Sequence, residues 1–316
     1  MNTAQETKDL VRAKYAEIAK QDKATNASSC CGAGGCSTEV ATIMSDDYTK
    51  LEGYNPDADL SLGCGLPTEF AQIKPGDTVL DLGSGAGNDC FVARAATGPD
   101  GRVIGVDFTP EMIAKAKDNA RKLDYQNVEF RQGDIEALPL SACMVDVVVS
   151  NCVLNLVPNK RQALSEVLRV LKPGGHFSIS DVVLVGELPP AIQGAAEMYA
   201  GCVSGALQES EYLGIIRDLG FLDITVQKRK PIVVPDDILR NYLNAEELAA
   251  FKASGTGIYS ITVFARKSSV DCCGSGVGAT PGQARSDKEG QARSDKATNP
   301  EGVHALPGCD LGAGCC

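Results

Sequence analysis

A chain of 316 residues with 43% apolar content can bury a real core, as one large domain with additions or as two small ones. A formal charge of −11 with no dense Lys/Arg block argues against a nucleic-acid partner, and no apolar run reaches the ~18 residues of a membrane span. Two histidines leave almost no candidate for a His general base, whereas thirteen cysteines point to metal, metalloid or redox chemistry.

The first twenty residues, MNTAQETKDLVRAKYAEIAK, are polar with a weak helical stripe (Leu10, Val11, Tyr15, Ile18). They do not resemble a signal peptide, so cytoplasmic residence is expected, with a monomer as the default state. NASSCCGAGGCSTEV (26–40) is a loop of small residues unable to pack a core. From 66 to 185 strands alternate with helices. TVLDLG (78–83), RVIGVD (102–107), VEFRQGD (128–134), VDVVVSN (145–151) and HFSISDVVLV (176–185) are the strands. Helices are expected over 88–96, from Thr109 or Pro110, and over 160–171.

Strands that are apolar on both faces and alternate with helices pair in parallel and bury both sides, which predicts a doubly wound, Rossmann-like α/β sheet. Helical stretches at 191–201 and 210–219 follow, and then 223–234 and 258–267 suit a closing antiparallel hairpin with inserted helices. The tail repeats GQARSDK at 282–288 and 290–296 and carries cysteine pairs without an apolar face, so disorder is expected there. Four regions result: an N-terminal helix and Cys-bearing cap (1–65), the sheet domain (66–185), substrate-side helices with closing strands (186–267), and the tail (268–316).

Asp81-Leu-Gly83-Ser84-Gly85-Ala-Gly87 follows the first strand and opens a helix. Its glycines let backbone amides approach a ligand, but Asp81 would repel a pyrophosphate and would welcome an ammonium and a sulfonium. Asp107, twenty residues after Gly87, is placed for ribose hydroxyls, and Gly133-Asp134-Ile135 for adenine. These strand-end signals together resemble the class I S-adenosylmethionine methyltransferases.

Asn151-Cys152 ends the fourth strand beside the methyl group in that fold. Cys64, in the N-terminal cap, and Cys202, in the insert, lie where the chain can close over the pocket. Neither has the CxxC spacing of a zinc knuckle; their location recommends them. Three thiolates form a soft, pyramidal site that suits As(III). Thiol-bound As(III) carries its own lone pair, so no base need remove a proton. Cys90 and Cys143 read as small buried hydrophobes, His176 as structural, and Asn155 and Pro158 as turn residues.

LSLGCGLPTEF (60–70), VLDLGSGAGND (79–89), VDVVVSNCVLNLVPNK (145–160), RVLKPGG (169–175) and YAGCVSGAL (199–207) together resemble the bacterial arsenite methyltransferases, over about residues 30 to 230. The resemblance implies As(III) held by Cys64, Cys152 and Cys202. It also implies a fourth thiol in the redox relay from the Cys30-Cys31…Cys36 segment, Cys31 being preferred. S-adenosylmethionine is the implied methyl donor, with Asp81, Gly83, Ser84, Gly85, Asp107, Asp134, Ile135 and Asn151 around it, and a thioredoxin- or glutathione-type thiol is the implied reductant. Two rivals share part of this pattern: a methyltransferase of a small, quinone-like acceptor, and a non-catalytic metalloid-binding protein.

Overall fold

The computed structural model describes residues 4–21, 46–189, 203, 205–233 and 236–270, within one compact unit, Met1–Asp271. One sheet contains β1 (Thr78–Leu82), β2 (Arg102–Asp107), β3 (Val128–Gln132), β4 (Val145–Asn151), β5 (Leu171–Val185), β6 (Leu222–Ile232) and β7 (Gly257–Arg266). The described helices are α1 (Ala4–Ala19), α2 (Pro67–Phe70), α3 (Asn88–Thr97), α4 (Pro110–Lys122), α5 (Lys160–Val170), α6 (Glu209–Asp218), α7 (Asp236–Leu239) and α8 (Ala245–Ala253). The expected helix at 191–201 and the tail lie outside the described residues.

The strand order is β3-β2-β1-β4-β5-β7-β6. β1 to β5 pair in parallel, and β7 runs antiparallel to both β5 and β6. This is the doubly wound sheet and closing hairpin expected from the sequence, with α7 and α8 inserted between β6 and β7. Pro231 and the Lys228–Lys230 run sit on β6, the edge strand, where a proline breaks no inner ladder and charge discourages further pairing.

Two cores follow from the two-residue period of the central strands. Leu80, Leu82 and Val148 face one layer, packed with Leu164 and Val167 of α5 and with Tyr212 and Ile216 of α6. Val79, Val147 and Val149 face the other, against Phe91 of α3, Met112 and Ala116 of α4, and Ile18 of α1. Burial of each such side chain stabilises the fold by roughly 1.5–3 kcal/mol. The largest difference from the expected boundaries is at the start of β5. β5 begins at Leu171 rather than His176, because fully buried Leu171 pairs with Val145, and a register shift between Val145 and Val147 absorbs the Pro-Gly-Gly residues.

Strand order reverses between β1 and β4, so their carboxyl ends open a crevice where helices leave on opposite faces. The glycine loop after β1 and Asn151-Cys152 at the end of β4 both reach it. Among the described residues no helix is long and apolar enough to cross a membrane. Leu80 is fully buried in the central strand, so Leu80→Ala is expected to cost about 2–5 kcal/mol. Urea denaturation measures this, and a loss well under about 1 kcal/mol would contradict the assigned core.

Candidate functional site

The crevice holds a cavity of about 380 Å³, lined among others by Asp81, Gly83, Ser84, Gly85, Asp107, Asp134, Ile135, Asn151 and Cys152. The donor-site residues expected from the sequence are therefore gathered around one space, of a size that suits a small molecule. Gly83 has φ +66, and a Cβ there would come within 2.5 Å of Val153, so the first turn of the loop admits only glycine. Asp107 then ties the loop to β2. Its carboxylate accepts the Gly85 N–H at 3.0 Å and the Thr109 N–H at 2.8 Å.

The cavity wall is acidic. Asp81 and Asp107 are buried, and half-buried Asp89 lines the same space. Burial first, and then the charge of Asp89, push the Asp81 carboxyl well above the ordinary carboxylate range. Burial also raises Asp107, against the backbone hydrogen bonds that favour its anion. Burial pushes Asp89 up to about 6, against hydrogen bonds from Tyr48, Asn151 and Thr68. Among the described residues the hydrogen bonds on these acids come from a thiol, hydroxyls, the Asn151 amide and backbone amides rather than from a cation. A ligand bearing an ammonium and a sulfonium would supply the missing positive charge. Ser84 Oγ and Asn88 Oδ1 are buried without hydrogen-bond partners among the described residues, two further polar atoms available to such a ligand. The site fits S-adenosylmethionine.

Three features escaped the sequence reading. Helix α1 lines the cavity through Thr7, Lys8, Val11, Lys14 and Tyr15. It is pinned by Lys8, whose ammonium pairs with Asp134 at 2.6 Å and with Glu136, and by Lys115, which caps its last turn at Ala19 O (3.1 Å) and Gln21 O (2.9 Å). The Leu10–Ile18 stripe signalled an apolar face but not what it would cover.

Cys90 is the second. It is fully buried, as expected, yet it is more than a hydrophobe: its thiol donates to Asp81 Oδ2 at 3.2 Å. Burial, and next the Asp81 charge, push that thiol well up, so it keeps its proton. Tyr48 is the third, donating to Asp89 from a buried position. Cys143 departs from expectation as well, being half-buried with φ +55 rather than packed in the core.

Cys64 and Cys152, 88 residues apart in sequence, are joined by a disulfide with their Cα atoms 5.9 Å apart. Both were expected from the sequence as thiolates, in a set of three with Cys202 from which a pair can close to a disulfide; here Cys64 and Cys152 are the joined pair. Cys152 takes φ +61, with its N–H donating to Ser180 O at 2.7 Å. The Cys64 carbonyl accepts Ser260 Oγ at 2.6 Å. Val182, Leu188, Val203, Leu239, Leu248 and Ile258 form an apolar wall around the pair. Cys202, Cys30, Cys31 and Cys36 lie outside the described residues, although Val203, next to Cys202, packs in that wall.

Asn151, expected beside the donor, also holds the Cys64 N–H at 3.0 Å. His176 donates from Nε2 to Ala71 O at 2.6 Å and lies against Phe264, a structural role as expected. Asn155 sits in a 3-10 turn, its amide on Val182 O at 2.7 Å.

A family model described as a methyltransferase domain matches residues 73–220. The arsenite methyltransferase of Halobacterium salinarum is 40% identical over 280 residues, covering 84% of this chain and 68% of that protein. That of Aquipseudomonas alcaligenes is 33% identical over 242 residues, covering 74% and 68%. Among solved structures, the arsenic(III) S-adenosylmethionine methyltransferase of Chlamydomonas reinhardtii aligns with a TM-score of 0.57 at 33% identity, covering 74% of this chain and 75% of that one.

A cation binds best to an ionised wall, and Asp89 titrates at about 6 without one. Affinity for S-adenosylmethionine is expected to rise as pH climbs through about 6 and the Asp89 carboxyl ionises. Calorimetric titration across that range measures it, with Asp89→Asn flattening the profile; a flat wild-type profile would contradict the acidic-wall account. The raised carboxyl also sets a sign for the unliganded fold, whose stability from this group is full below 3.8 and declines as pH rises through about 6.

Proposed function

As the chain belongs to the arsenite methyltransferases, a family of S-adenosylmethionine-dependent enzymes, we propose that it methylates As(III) held by the thiolates of Cys64, Cys152 and Cys202. Membership sets aside the non-catalytic reading. The observation that carries the proposal is the meeting of Cys64 and Cys152, 88 residues apart, at the end of β4 beside the acidic cavity.

S-adenosylmethionine, when bound, supplies an electrophilic methyl group on a sulfonium. The chain's part is to orient and to exclude. Asp81, Asp89 and Asp107 favour a cation, and Ser84 and Asn88 offer hydrogen bonds. Gly133, Asp134 and Ile135 form the adenine end, where Lys8 of α1 holds Asp134 in place. The apolar wall behind the thiols keeps water from the metalloid.

As(III) bound to thiolates attacks with its own lone pair, so no side chain removes a proton. This accords with His176 being tied up in a structural contact. Methyl transfer takes arsenic formally to As(V), and two thiolates closing to a disulfide return two electrons and restore As(III). The Cys64–Cys152 bridge supports this role, since the pair can close where it stands. A thioredoxin- or glutathione-type thiol then reopens it, in keeping with a reducing, cytoplasmic setting and arsenic detoxification. A thiol from the Cys30–Cys36 segment, Cys31 by preference, completes the relay.

Product speciation tests the proposal. Purified chain with arsenite, S-adenosylmethionine and a thiol reductant is expected to yield methylated arsenic, and Cys152→Ser to lower the yield about 100-fold or more. No methylated arsenic from a wild type shown to bind the donor would overturn it.

A further inference from the structure

Between the donor cavity and the thiol pair runs a continuous chain of side-chain hydrogen bonds. The Asn151 amide donates to Tyr48 Oη at 2.6 Å and to Gly65 O at 2.8 Å, while its Oδ1 accepts the Cys64 N–H at 3.0 Å. The Tyr48 hydroxyl reaches the Asp89 carboxylate at 2.9 and 3.0 Å, and Gly65 O at 3.2 Å. One end is thus an acid lining the donor cavity, and the other is the backbone of a substrate cysteine.

Tyr48 makes the chain two-state. Its hydroxyl has one proton and two acceptors within reach, Asp89 and Gly65 O, while it accepts from Asn151. An ionised Asp89 draws that proton and leaves Gly65 O to the Asn151 amide. A protonated Asp89 becomes a donor itself and turns the tyrosine toward Gly65 O, where it competes with Asn151. The second arrangement loosens the hold on the Gly63–Gly65 segment. That segment has little slack, because a Cβ at Gly63 would lie 2.7 Å from the Asn151 amide and one at Gly65 would lie 2.5 Å from Ser180 Oγ.

We infer that Asp89, Tyr48 and Asn151 couple the two ligand sites, so that a cationic donor in the cavity sets the position of Cys64 for As(III). Tyr48 and Asn151 act here as positioning residues. The inference rests on the arsenite reading and adds to it an order of assembly: donor occupancy pre-forms the metalloid site, and by linkage As(III) tightens donor binding by the same factor.

The test is a binding cycle on the reduced, full-length chain. Arsenite affinity is measured with and without sinefungin, a donor analogue that carries an amine in place of the sulfonium and transfers no methyl group. In the wild type sinefungin is expected to tighten arsenite binding about fivefold or more, with the reciprocal effect on sinefungin. Tyr48→Phe keeps the ring packed against Leu66 and Val92 and removes the hydroxyl. It is expected to bind each ligand singly and to lose the coupling. Two ligands that bind the wild type independently, or coupling that survives Tyr48→Phe, would overturn the inference and leave the arsenite reading standing. A reduced wild type that does not bind arsenite would overturn both. The wild-type cycle decides the matter even if the variant fails to fold.

Discussion

Uncompensated negative charge at the crevice between β1 and β4 is the constraint from which the site follows. Asp81 and Asp107 are buried and Asp89 is half-buried, with no cation among their described hydrogen-bond partners, and burial pushes each carboxyl upward. Such a wall is costly unless a cation completes it. The glycine loop brings backbone amides to Asp107, Cys90 keeps its proton to serve Asp81, and Tyr48 serves Asp89. Helix α1 then closes the space, anchored through Lys8 on the Asp134 side.

Softness is the second requirement, and the thiol pair meets it a few residues away. Asn151 stands between the acids and the sulfurs, its amide on Tyr48 and its carbonyl oxygen on the Cys64 N–H, so the proposed donor and metalloid sites would share one hydrogen-bonded wall. The apolar cluster around Cys64 and Cys152 suits a neutral, thiolate-bound As(III) better than a hydrated ion.

Much of this was legible in the sequence because it is local. Strand limits came from runs such as VDVVVSN, whose alternate residues feed two cores, and the residues expected around the donor were those at strand ends, which the fold gathers on one cavity. Cys64 and Cys152 were legible only through fold, since nothing in their spacing of 88 announces a pair. What escaped depends on contacts between distant segments. Tyr48 meets Asp89 across 41 residues, and Lys8 meets Asp134 across 126. Neither pair leaves a periodic or motif signal. Cys90 is buried as expected, but its hydrogen bond to Asp81 could not be read, because only its position opposite that carboxylate makes it a donor. The early start of β5 was hidden by Pro173-Gly174-Gly175, a sequence that ordinarily ends an element and here is absorbed in a register shift.

The central claim is that thiolates, and no harder donors, hold the metalloid. X-ray absorption at the arsenic edge, on the reduced chain loaded with one equivalent of arsenite, reads the donor atoms directly. The account predicts an all-sulfur first shell, with oxygen replacing sulfur in Cys64→Ser and Cys152→Ser. An oxygen shell in the wild type, or a sulfur shell untouched by both substitutions, would contradict it.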